Sequence, residues 1–70
     1  MLNINELELK LKRLEAYKDM YKNAKHIATD NFKFFTEYQD KFSLNSYKKH
    51  LRIMNRLEKS IINQTKKLCE

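Results

Sequence analysis

Apolar residues recur every seven positions through the first two-thirds of the chain: Leu7, Leu14, Tyr21, Ala28, Phe35 and Phe42 make one unbroken row. A second row, three places further on, is looser. Tyr17, Ala24 and Tyr38 belong to it, whereas Lys10 and Asn31 interrupt it. Rows separated by three and four residues form a seam along one side of a helix. The spacing predicts a long first helix over about residues 4–41, and 38 residues at 1.5 Å each would span about 57 Å. On its far side Glu6–Lys10, Glu8–Lys12 and Glu37–Lys41 have the favourable i,i+4 order, worth ~0.2–0.5 kcal/mol per pair.

The best break lies at Lys41-Phe42-Ser43-Leu44. Ser43 has the chemistry of an N-cap, and Phe42 and Tyr47 have the spacing of a hydrophobic staple around it. A second helix is therefore expected over about 44–68. It carries Leu44, Tyr47, Leu51, Met54, Leu57, Ile61, Ile62 and Leu68 within one stripe roughly 140° wide at 100° per residue. Glu58 falls inside that stripe, where a carboxylate requires a partner from a facing helix or a place at the boundary. Thr29-Asp30-Asn31 offers a weaker break that would give three helices. The heptad phase runs through it unchanged, which favours continuity.

The expected fold is all-α: one helical domain over residues 1–70, built as an antiparallel hairpin. The exposed remainder of both stripes is best covered by a second copy, giving a homodimeric four-helix bundle. In this picture Leu7, Leu14, Tyr21, Ala28, Phe35, Phe42, Leu51, Met54 and Ile61 form the core and oligomer seam.

Composition sharpens the picture. Gly, Pro, Val and Trp are absent, so phosphate-cradling loops, tight hairpin turns and left-handed helix caps are disfavoured, and helical propensity prevails. Ile, Leu and Phe make up 18 of the 70 residues, above the range of disordered chains. Yet ordering a chain this short costs on the order of 100 kcal/mol, which one private core rarely offsets. That imbalance points again to self-association.

The net charge is +6, and it is unevenly placed. Residues 1–43 hold eight basic and seven acidic side chains, whereas 44–70 hold seven basic against Glu58 and Glu70. Those seven, Lys48, Lys49, Arg52, Arg56, Lys59, Lys66 and Lys67, fall in an arc roughly 100° wide opposite the apolar stripe. Such a ridge attracts phosphate backbones or acidic protein surfaces, and Asn45, Lys49, Arg52, Arg56 and Lys59 follow the line of a groove-inserted helix. A solvated lysine-rich face is the plainer reading.

Candidate chemistry is sparse. His26 and Asp30 have i,i+4 spacing, but two ligands make no structural metal site. His50 borders the apolar stripe, the place of a packed, hydrogen-bonded imidazole. No nucleophile–base arrangement is evident and Glu15 with Asp19 points outward, so no enzyme, cofactor or metal is expected. The aromatic residues Phe32, Phe34 and Tyr38, beside Phe35 and Phe42, exceed what one stripe covers; Phe32, Phe34 and Tyr38 form a candidate docking patch.

No apolar run approaches the ~20 residues of a membrane span, the amino terminus lacks the pattern of a secretory signal, and Cys69 is alone. A cytoplasmic protein that leaves membranes alone is expected. The functional expectation is a small non-catalytic interaction protein: an accessory regulator or inhibitor of a larger protein partner, one that handles nucleic acid, of the kind a virus or mobile element encodes. The alternative is direct nucleic-acid binding through the basic face.

Overall fold

The computed structural model describes residues 4–69. Sixty-four of those sixty-six residues are helical, in α1 (Ile4–Tyr38) and α2 (Lys41–Cys69), which pack against each other as a hairpin. α1 continues through Thr29-Asp30-Asn31, so the three-helix alternative does not hold. Each capping-type side chain there is occupied without breaking the helix. Thr29 Oγ1 donates to the Lys25 carbonyl at 2.9 Å, Asp30 meets His26, and Asn31 Nδ2 donates across to Ser46 Oγ at 2.9 Å.

The reversal comes earlier than the sequence pattern indicates. α1 stops at Tyr38, and Gln39 adopts a left-handed conformation, φ 52°. Its N–H donates to the Phe35 carbonyl at 2.6 Å, the single bond of an αL cap. A chain without Gly thus uses a left-handed cap after all, with Gln in the position Gly would fill.

Asp40, not Ser43, is the N-cap of α2. Its carbonyl accepts from Leu44 N–H at 3.1 Å, Oδ1 accepts from Phe42 N–H at 3.2 Å, and Oδ2 accepts from the Ser43 hydroxyl at 3.2 Å. Asp serves at least as well as Ser in that role, and its full charge faces the positive end of the helix. Three consequences correct the sequence expectation. Ser43 becomes a buried residue of the first turn, Glu37 and Lys41 fall in different helices, and the Phe42–Tyr47 staple is not formed. Phe42, counted in the seam by its spacing, is 80% exposed and lies outside the contact between the helices.

Along α1, Leu14, Ala24 and Ala28 are buried and Tyr17, Tyr21 and Phe35 half-buried, while Leu7 of the same row is exposed. The seam's two polar interruptions are met from α2: Lys10 Nζ donates to the Lys67 carbonyl at 3.4 Å, and Asn31 to Ser46. Lys10 lies twenty-one residues before Asn31 and Lys67 twenty-one after Ser46, so both bonds obey one antiparallel register over three heptads.

α2 meets α1 along one border of its apolar stripe rather than through the middle of it. Its buried residues are Ser43 and Gln64, on a line with half-buried His50 and Leu57, while Leu51 and Ile62 of the apolar stripe remain exposed. The result is a rod of 55 × 14 × 12 Å with a radius of gyration of 16.0 Å, against about 11 Å for a compact chain of this length.

Candidate interaction site

Advancing one residue along a helix turns 100°, so neighbours at a seam point to its two borders. Asn31 bonds Ser46 at one border, and Phe32 meets Tyr47 at the other, ring centroids 5.2 Å apart. The hairpin therefore presents two broad faces, named here for Phe32 and for Ile27.

On the Phe32 face, α1 contributes Leu7, Leu11 and Phe32 and α2 contributes Leu51, all exposed. A shallow depression opens between Lys25, Ala28 and Phe32 on one helix and Tyr47, Leu51 and Met54 on the other. Glu58 is exposed beside Leu51 rather than buried in the seam. Its charge is opposite to that of Lys18 and Lys25 on the same face.

On the Ile27 face, α1 contributes Met20, Ile27 and Phe34, and Phe34 packs on Tyr38 with centroids 4.6 Å apart. The residues Phe32, Phe34 and Tyr38 are thus not one patch: Phe32 lies on one face, Phe34 with Tyr38 toward the other. The α2 side of this face carries Phe42, Lys49 and Arg56.

All seven basic residues Lys48, Lys49, Arg52, Arg56, Lys59, Lys66 and Lys67 are exposed, and none is paired with an acidic side chain among the described residues. Lys49, Arg56 and Lys67 border the Ile27 face, while Lys48, Arg52, Lys59 and Lys66 point away from α1. Of the seam residues named from sequence, Leu14 and Ala28 are buried, Tyr21, Phe35, Met54 and Ile61 half-buried, and Leu7 and Leu51 exposed at the flank.

No protein-family model, curated protein or solved structure matches this chain. Its chemistry has to be read from its own residues. His26 Nε2 lies 3.4 Å from Asp30 Oδ2 on an exposed stretch of α1, and no cluster of three or more His, Cys, Asp or Glu occurs among the described residues. No helix among them is long and apolar enough to cross a membrane.

His50, expected from the sequence as a packed, hydrogen-bonded imidazole, is half-buried and hydrogen-bonded at the turn end of the seam; its link to Asn31 through Ser46 was not legible. His50 Nδ1 lies 2.7 Å from the Ser46 carbonyl, which can only accept, so Nδ1 carries the proton. Ser46 Oγ accepts from Asn31 and stands 3.4 Å from the same imidazole. Asn31 was visible as a flaw in the heptad; its partner Ser46 lies fifteen residues on, and His50, which contacts Ser46, four beyond that.

Proposed function

We propose that the protein is a non-catalytic helical interaction module that self-associates and acts by occupying the surface of a larger protein, as a regulator or inhibitor in the cytoplasm. One observation carries this reading: apolar side chains stay outside although the hairpin has formed. Leu51 and Ile62 of α2, and Leu11, Met20, Ile27, Phe32 and Phe34 of α1, are all at least 40% exposed, while three apolar residues among those described are buried. The chain exposes 5969 Å², roughly 1,300 Å² more than the ~4,700 Å² expected of a folded monomer of its mass. A standard interface takes about 800 Å² per partner.

The Phe32 face suits a second copy, because its apolar flank is broken only by Lys18, Lys25 and Glu58, charges of both signs. Sedimentation equilibrium tests the reading. Twice the 8.6 kDa protomer mass is expected at micromolar concentration, with Leu11→Asp plus Leu51→Asp returning the protomer. A stable, well-folded monomer would overturn it.

The exposure of all seven basic residues favours a second reading, direct binding of nucleic acid. Duplex and single-stranded DNA titrated at two salt concentrations decide it. Binding with a steep salt slope, lost in Arg52→Glu plus Arg56→Glu, supports this reading. No binding at low salt eliminates it.

A further inference from the structure

The Ile27 face pairs an apolar row with a cationic one at matched height. Met20, Ile27 and Phe34 stand one heptad apart on α1 and are 53%, 42% and 49% exposed. Phe42, Lys49 and Arg56 stand one heptad apart on α2 and are exposed. The Asn31–Ser46 bond sets their levels. Each row lies roughly 50° outward of that pair on its own helix at heptad spacing, so Phe34 is level with Phe42, Ile27 with Lys49, and Met20 with Arg56. The floor between the rows includes the short side chains of Ala24, Ser46 and Ser60, all out of full exposure. At the turn end α2 itself carries a depression lined by Phe42, Asn45, Ser46, Lys49 and His50.

We propose that this groove receives an amphipathic helix of the partner protein, its apolar side on Met20, Ile27 and Phe34 and an acidic flank along Lys49 and Arg56. The inference rests on the protein-interaction reading above and names the chemistry of the partner. A repeat of seven residues, about 10.5 Å, is what one side of a helix offers to a groove. Charge decides among occupants. A second copy on this face would bring two sets of Lys49 and Arg56 into one interface, four cations where an acidic helix would bring complementary charge. An anionic bilayer favours cations on both borders of an apolar row, whereas the outer border of α1 carries Glu37. Nucleic acid would use the cations and leave Met20, Ile27 and Phe34 in water.

The test uses the whole protein and two labelled helical peptides of about 21 residues, three heptads in length. Both carry a leucine seam; one has glutamate along a flank and the other lysine at the same positions. Anisotropy at about 50 and 300 mM salt should show the glutamate peptide binding about tenfold or more tighter at low salt, with the gap narrowing at high salt. Lys49→Glu with Arg56→Glu should reverse the preference, and Ile27→Ser with Phe34→Ser should weaken the glutamate peptide about tenfold while helicity holds. Should the charge-reversed protein lose helicity, Lys49→Gln with Arg56→Gln should abolish the preference instead.

Equal binding of the two peptides overturns the assignment. So does glutamate-peptide binding that survives Ile27→Ser with Phe34→Ser, or tighter, Ile27-dependent adsorption to phosphatidylcholine–phosphatidylserine vesicles. Sedimentation of the same samples keeps the two readings apart: failed peptide binding with intact self-association sinks only the groove.

Discussion

Gln39 bears the conformational cost of the reversal. A side chain in the left-handed region crowds its own backbone by about 1–2 kcal/mol, which Gly avoids. Gln39→Gly, keeping the N–H that binds Phe35, is expected to stabilise by ~1 kcal/mol and raise the thermal midpoint by about 4–8 °C; an unchanged or lower midpoint in thermal circular dichroism would refute the left-handed cap. Gln64 is the opposite case. It is 8% exposed, and its Oε1 has no hydrogen-bond partner. An unmet buried acceptor costs ~1–3 kcal/mol, so Gln64→Leu should stabilise the hairpin by about that amount in urea unfolding. Destabilisation would mean that the amide is satisfied in the protein's working assembly.

At the scale of the helices, the question is what holds one register. Apolar contacts between Leu14, Ala24, Ala28 and the facing side chains tolerate sliding, whereas a directed bond such as Asn31–Ser46 does not. That pair should couple by about 1 kcal/mol in a double-mutant cycle of Asn31→Ala and Ser46→Ala, because each single change strands the other partner in a half-buried site. A coupling indistinguishable from zero would show that the bond does not pin α1 to α2. The basic row of α2 and its apolar stripe were legible from spacing at 100° per residue. The side of α2 that meets α1 was not, since Ser43, His50 and Gln64 share the buried line and nothing in a polar residue advertises burial.

For the whole rod, net charge and apolar area oppose each other. Two protomers of charge +6 repel at low ionic strength, and the Debye length falls from about 30 Å at 0.01 M salt to 3 Å at 1 M. Self-association through the Phe32 face should therefore tighten as salt is added, while attachment of acidic peptide or nucleic acid weakens. Light scattering across a salt series checks the sign, and a dimer that dissociates on adding salt would place the interface on charges instead. Phe35→Asp puts a carboxylate into the seam beside the turn and is expected to unfold or dissociate the protein. Lys66→Glu, on the outer side, should leave mass and helicity unchanged.

Local periodicity was enough to establish two helices, a reversal near residue 40, the α1 seam and the cationic outer side of α2, because i,i+3, i,i+4 and i,i+7 relations are complete within a few turns. Spacing points to Ser43 as the cap, whereas Asp40 holds that place in the folded hairpin. Two steps of 100° already separate Phe32 from Phe34 on α1, whereas tertiary structure alone decided the rotation of α2 about its axis and the register. Those depend on the two-residue turn and on polar pairs such as Lys10 with Lys67, fifty-seven residues apart. Periodicity along one helix carries no record of which side the other helix will take.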